Sequence, residues 1–358
     1  MFKKLRRFFR RLIPSYRIGN TIRLENKSDQ QELKQRLDQL DYKMEYLFWL
    51  SQKHQEETMA ETKRRVFLSM PEAEGKSRLV QQMNHKRLKH MKQVCDENGL
   101  RIFLAFGSLL GAVRNQGFIP WDDDIDVAML RLDCERLMTL LQNDPVLRAD
   151  NCYSIMYEKF IKVKFRDLDK FFVDIFVMDE FSADDSNLEE RYKEIRAAHW
   201  EYAAEMKRYF AETGERIEDY AVPKPNAALN ARMEAKFKAL SERLGYYGKG
   251  NYLGFGIDDN CLMTNTWYSY PKDELLKPAQ VRFDGEIYET FGNYPQWLTN
   301  AYGDYWNLPK NIMTGHSEFA ELEAEDYRAM ATHGVLTAQE AESWISNGNK
   351  FQAKEVSF

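Results

Sequence analysis

Hydrophobic positions change their spacing several times along the chain, and each change predicts an element. Phe2, Leu5, Phe9 and Leu12 recur at intervals of three and four, ahead of Pro14. Lys3, Lys4, Arg6, Arg7, Arg10 and Arg11 fill most of the remaining surface. This predicts a short basic amphipathic helix suited to peripheral contact with an anionic membrane through residues 1–14; a solvated basic arm or a transit peptide has the same pattern. Leu33, Leu37, Leu40, Met44 and Leu47 then mark two heptads that fail at Ser51 and His54. That seam suits either a short coiled coil joining copies of the chain through residues 30–50 or a helix packed on its own domain. After the break at Pro71, a helical pattern runs from about Ser77 through Asn98, and Gly99 stops it.

Strand signals follow. "LRIFLAFGS" predicts a buried strand entering a turn, "IDVAML" a second strand, and "CYSIMY", "KFIKVKF" and "KFFVDIFVMD" three more. The chain reads as helical between Ser186 and Leu244, interrupted near "VPKPN", and its last third as loops and short elements. Without regular βαβα alternation the fold class is α+β. The predicted organisation is a basic segment 1–24, a helical segment 25–70 and a catalytic domain 71–358.

Composition narrows the function. Of the 51 Lys and Arg residues, eight lie in residues 1–24 with no acid, leaving 43 against 56 acidic residues elsewhere. An acidic body excludes nucleic acid as the main partner. Cys95, Cys134, Cys152 and Cys261 are far apart and in no paired motif, which fits reduced thiols in a cytoplasmic protein. No apolar run approaches the roughly 18 residues of a membrane span.

The candidate chemistry lies in "GSLLGAVRNQGFIPWDDDID", Gly107 to Asp126. In an extended chain Asp122, Asp124 and Asp126 share one side, and Ile125 and Val127 share the other. Carboxylates this close repel one another, and a divalent cation with oxygen ligands offsets that repulsion. A calcium loop starting at Asp122 would need glycine where Val127 stands, so an EF-hand is excluded. Upstream, a Gly107–Ser108 turn would let backbone N–H groups approach a phosphate. Downstream, Asp174 stands within the apolar run Phe171 to Met178, where an unpaired carboxylate is costly. Together these suit two-metal phosphoryl or nucleotidyl transfer.

"AFGSLLGAVRNQGFIPWDDDIDVAM" resembles the signature of the LicD/fukutin family. "VDIFVMD" and "FDGEIYETFGNYPQWLTNAYGDYWNLP" resemble that family's later segments, so the likeness spans roughly residues 78–320. The resemblance implies a nucleotidyltransferase-like, polymerase-β-type mixed sheet core flanked by helices, preceded here by the N-terminal helical extension. It implies a phosphotransferase that takes a phospho-alcohol such as phosphocholine from a CDP-alcohol donor. The acceptor would be a cell-surface or capsular glycan or its lipid-linked precursor, at the inner membrane face. On that resemblance Asp124 and Asp126 are principal ligands of Mg²⁺ or Mn²⁺, and Asp122 is a further ligand or supporting acid. Asp174 is the third carboxylate, binding metal or accepting the acceptor's proton, and Gly107 and Ser108 cradle the donor phosphates. Arg114 is a candidate phosphate clamp, and Lys162, Lys164 and Arg166 are basic residues available to a pyrophosphate.

Two other enzyme readings stay open at this stage: a metal-dependent glycosyltransferase, and a nucleotidyltransferase that releases pyrophosphate. A membrane-docked scaffold with a degenerate enzyme body is the non-catalytic alternative. The aromatic residues of the last third, Trp297 and Tyr270 among them, and the isolated His199 and His316 read as ordinary core or surface positions. The Gly-rich "GYYGKGNYLGFG" with Asp258 and Asp259 after it reads as a mobile substrate loop.

Overall fold

The computed structural model describes residues 27–153, 159–181, 188–214, 227–244, 250–255, 269–308 and 322–347. The basic segment, the "VPKPN" interruption, Asp258, Asp259, Cys261 and His316 lie outside them.

The expected helical segment is a pair of helices, α1 (Lys27–Gln52) and α2 (Met59–Leu68). A capping box starts α2: the Thr58 hydroxyl accepts from the Glu61 N–H, and the Glu61 carboxylate accepts from the Thr58 N–H. The pair packs on its own chain through Trp49 and Phe67, whose rings lie 5.8 Å apart and which are 2 % and 1 % exposed. Trp306 continues the cluster, 6.1 Å from Phe67. The packed face of α1 is thus carried by Phe48 and Trp49 near its end, while Leu40 and Leu47 of the heptad seam are solvent-exposed. Among the described helices none is long and apolar enough to cross a membrane.

Helix α3 (Gly75–Glu97) buries Leu79, Val80, Met83, Leu88, Met91 and Cys95, a stripe at helical spacing, and Gly99 follows it with φ of 65°. The chain then forms β1 (Phe103–Leu104), α4 (Phe106–Asn115), β2 (Ile125–Leu130), α5 (Arg131–Leu141), β3 (Leu147–Tyr153), β4 (Lys159–Phe165) and β5 (Leu168–Phe181). Helices α6 (Leu188–Thr213) and α7 (Ala227–Leu244) precede β6 (Tyr252–Phe255), β7 (Ser269–Pro271) and α8 (Lys272–Leu275). The hairpin β8 (Ala279–Phe283) and β9 (Glu286–Thr290), then α9 (Tyr294–Tyr302), α10 (Ala324–Thr332) and α11 (Ala338–Asn347), complete the described chain.

Seven strands form one mixed sheet, with the path β1–β2–β5–β4–β3, and β6 bridging β5 and β7. Among the described strands, only β2 and β5 run parallel. Helices α3 and α5 pack on this sheet, so its central strands are buried on both sides. That is why Ile125, Val127, Ala128 and Met129 of β2 are all buried, as are Val173, Ile175, Val177 and Met178 of β5, with Asp126 and Asp174 the acids that interrupt the two apolar runs. The α+β class is therefore observed, with a mixed sheet flanked by helices. Two local expectations change. The first strand is only two residues long, and Gly107 and Ser108, expected as a turn after it, lie in the first turn of α4. Part of the Gly-rich segment, Tyr252–Phe255, is a strand held by β5 and β7. Trp297, Tyr270 and His199 are buried.

The hairpin turns at Asp284–Gly285, with φ of 50° and 87°, as a tight turn with two left-handed residues requires. Asp284 ties it to α3: Arg78 donates at 2.8 Å and the His85 ring lies 3.2 Å away, and His85 also meets the Tyr288 hydroxyl at 2.9 Å. Burial opposes ionisation of Asp284, but its bonds to His85 and Arg78 outweigh it and hold the carboxyl below its ordinary range. A depressed native pKa stabilises the fold above the unfolded value, about 3.9 for Asp, and that contribution disappears as pH falls through the native value. Asp284→Asn is therefore expected to lower the urea midpoint at pH 7 and to differ less from the parent at pH 3. An equal difference at both pH values would contradict this.

Candidate metal and phosphate site

The parallel pairing of β2 and β5 sets Asp126 opposite Asp174, and the antiparallel pairing of β5 and β4 sets Asp174 opposite Lys162. Asp150 of β3 follows opposite Lys162. Paired residues share a face, so one row across four strands reads acid, acid, base, acid. One carboxylate oxygen each from Asp124, Asp126 and Asp174 lies within 4.8 Å of the other two. Oxygen ligands of one Mg²⁺, at 2.0–2.1 Å from it, lie at most about 4.2 Å apart, so small side-chain shifts would bring the three oxygens onto one divalent ion.

The start of α4 holds the second carboxylate. The Ala105 N–H donates to the Asp126 carbonyl at 3.1 Å. Phe106 then turns the chain with φ of 39°, a strained value for a non-glycine residue. Its ring packs 4.4 Å from Phe176 and 4.9 Å from Trp297, contacts that offset the strain. The Gly107 N–H donates to Asp126 Oδ2 at 3.0 Å, and the Asp126 N–H donates to Ser108 Oγ at 2.9 Å. A Cβ on Gly107 would lie 2.8 Å from Asp122 Oδ2 and 3.4 Å from Asp126 Oδ2. A side chain here would have to displace the Asp122 carboxylate, so glycine leaves that acid in place.

Burial, then the charges of Asp124, Asp174 and Asp122, push the Asp126 carboxyl well above its ordinary range, against the Gly107 hydrogen bond. Such a cluster is costly to keep ionised without a cation. Lys162, itself 5 % exposed, supplies part of the compensation: its ammonium donates to both Asp174 oxygens, at 2.9 and 3.2 Å. Tyr302, one of the last-third aromatic residues read from the sequence as ordinary core, borders the cluster. Burial of its hydroxyl end and the charges of Asp126, Asp122 and Asp124 hold the phenol well above its usual range, although 41 % of the residue's surface is exposed. The Tyr302–Gly303 pair inside the "YGDYWNLP" stretch was the available signal.

Other expected basic residues are placed elsewhere. Lys164 pairs with Asp150 at 3.4 Å. Arg114 sits near the far end of α4, 4 % exposed, with its guanidinium 4.3 Å above the Phe67 ring, and donates to the Asn307 carbonyl at 2.6 Å. Burial lowers its pKa to about 10. Arg166 donates to the carbonyls of Leu141, Gln142 and Asp144 and so caps the end of α5. Asp122 Oδ2 lies against Gly107, 2.8 Å from where a Cβ on that residue would stand.

Residues 99–210, which contain the three carboxylates, the Gly–Ser pair and Lys162, match the family model described as LicD/FKTN/FKRP, nucleotidyltransferase domain. This part of the chain carries a LicD-like domain. It is 24 % identical over 242 residues to the lipopolysaccharide cholinephosphotransferase LicD of Haemophilus influenzae, covering 62 % of this chain and 88 % of that one. An uncharacterized protein of Rickettsia prowazekii is 32 % identical over 75 residues, 21 % of this chain and 27 % of its own. A second, from Rickettsia typhi, is 37 % identical over 49 residues, 14 % of this chain and 16 % of its own. The LicD-family match covers only part of the chain, and α1 and α2 lie outside it.

Proposed function

We propose that this protein is a LicD-like, metal-dependent phosphotransferase on a polymerase-β-type core. It would move a phospho-alcohol, phosphocholine or a close analogue, from a CDP-activated donor to a glycan or lipid-linked glycan hydroxyl. The observation that carries this reading is the convergence of Asp124, Asp126 and Asp174 from a loop and two parallel strands. The name of the Haemophilus relative supports a phosphocholine-like group and a lipopolysaccharide-type acceptor.

Asp124, Asp126 and Asp174 would hold Mg²⁺ or Mn²⁺, with Asp122 in support. When bound, such ions neutralise the donor pyrophosphate and stabilise the charge that develops during transfer. The chain's own residues do the positioning. Gly107 and Ser108 clamp Asp126 from its carboxylate and its backbone N–H. Lys162 fixes the orientation of Asp174, which is then placed to accept the acceptor's proton. The acceptor oxygen forms a bond to the phosphorus that carries the alcohol, the bond from that phosphorus to the bridging oxygen breaks, and CMP leaves with that oxygen.

Calorimetry with CDP-choline, CDP-ethanolamine, CDP-glycerol, CDP-ribitol and UDP-glucose, each with and without Mn²⁺, tests the reading. Metal-dependent binding of one CDP-alcohol, lost in Asp124→Asn/Asp126→Asn, is the expected result. Binding of UDP-glucose alone would replace it with glycosyl transfer, and no metal-dependent binding would favour a scaffold.

Lys162→Met provides a separate check. Removing one partner of a buried ion pair costs about 3 kcal/mol, because the remaining carboxylate is left uncompensated. The loss is expected in EDTA and should shrink when saturating Mn²⁺ supplies the missing positive charge. An equal loss in both conditions would count against a metal at Asp174.

A further inference from the structure

The acidic loop, Asp122 to Asp124, precedes β2 and takes support from outside the sheet. Helix α3 supplies it. Gln81 Nε2 donates to the Asp122 carbonyl at 2.7 Å, and Asn84 Nδ2 donates to the Asp123 carbonyl at 2.6 Å. Behind them the Arg87 guanidinium donates to Asn84 Oδ1 and lies 4.3 Å above the Phe165 ring of β4. Gln81 is 1 % exposed, and Asn84 and Arg87 are fully buried. Three polar side chains on successive turns of a core helix are expensive unless their hydrogen bonds achieve something.

We propose that Gln81 and Asn84, with Arg87 locking Asn84, are positioning residues that hold the backbone of the acidic loop so that its carboxylates converge on the metal. This rests on the metal reading of Asp124, Asp126 and Asp174. The residue types fit the task. Carbonyl oxygens need donors, and a neutral amide donates without adding a positive charge that would compete with the cation. Arginine carries no acceptor, so its bond to Asn84 must end on the amide oxygen, and this orients the amide nitrogen toward the loop. Arg87 is itself anchored by burial and by the Phe165 ring, so the line runs from a strand of the sheet to the loop.

The discriminating substitution is Asn84→Asp in the full chain, with Mn²⁺ affinity read by calorimetry and the thermal midpoint read in EDTA. The new carboxylate keeps a partner in Arg87 but loses the donor to the Asp123 carbonyl. Its added negative charge would by itself strengthen cation binding, so a weakening can come only from loop geometry. The expected result is a loss of Mn²⁺ affinity of ~10–100-fold, as for other outer-layer partners of metal ligands, with the midpoint in EDTA equal to or above the parent's. Gln81→Met, which cannot donate to Asp122, is expected to weaken Mn²⁺ binding in the same sense and serves if Asn84→Asp does not fold. Parent-like or tighter Mn²⁺ binding in both variants, with binding abolished in Asp124→Asn, would overturn the proposal and leave the metal reading standing. No Mn²⁺ binding by the parent chain would overturn both.

Discussion

Replacing Asp126 with asparagine is expected to abolish transfer and, in EDTA, to make the protein more stable. The two effects have one cause. Asp126 is 9 % exposed and close to three other carboxylates, and its carboxyl is pushed well above its ordinary range. Two unit charges about 4 Å apart repel by about 4 kcal/mol at a typical effective dielectric constant. Asparagine removes that repulsion, and its amide oxygen can still accept from the Gly107 N–H. A net gain of about 1 kcal/mol, or ~2–4 °C in Tm, is expected after the remaining acids relax. On the proposed reading the same change also removes a metal ligand, worth several kcal/mol in the transition state, so transfer should fall by ~10³-fold or more. Thermal melts in EDTA and in Mn²⁺ check both halves: Mn²⁺ should raise the parent midpoint and leave that of the variant unchanged. An Asp126→Asn protein that is less stable in EDTA and still responds to Mn²⁺ would sink this account.

Gly107→Ala is expected to damage the site while sparing the fold. The added methyl would stand 2.8 Å from Asp122 Oδ2, closer than real contacts allow, and 3.4 Å from Asp126 Oδ2. Something must move, and the carboxylates are the groups in the way. Alanine is also a better helix former than glycine by about 1 kcal/mol, which offsets part of the steric cost in the first turn of α4. A displacement of the order of 1 Å at a reacting centre costs ~10²-fold in rate. Activity and Mn²⁺ affinity should therefore drop together with little change in Tm. A fully active Gly107→Ala would show that Asp122 and Asp126 do not need their observed positions.

Much of the site was legible because its residues are locally improbable. Asp174 inside an apolar strand and three same-parity aspartates before another both contradict the pattern around them, and chemistry accounts for the contradiction. The supporting residues carry no such mark. Gln81, Asn84 and Arg87 look like the polar face of an amphipathic helix, and only packing shows that this part of α3 faces inward. Arg114 illustrates the reverse. It belongs to the recognised motif, yet its guanidinium lies on the Phe67 ring, because the preceding helices dock there. The two heptads in α1 suited either a coiled coil between copies or packing on the chain's own domain, and it is Trp49, just past the seam, that packs on Phe67.

By itself the sequence determined the periodicities: the buried stripe of α3, the apolar runs of β2 and β5, the α+β class and the presence of an acidic cluster. These follow from which side chains can share a face, and that is a local property. Only the tertiary structure decided that Asp126 lies opposite Asp174 and Asp174 opposite Lys162, that the Gly–Ser pair opens a helix, and that α1 and α2 fold back on the chain. Those outcomes depend on strand register and on contacts between segments tens to hundreds of residues apart. Their energies belong to the pairing, and neither partner's own sequence contains them.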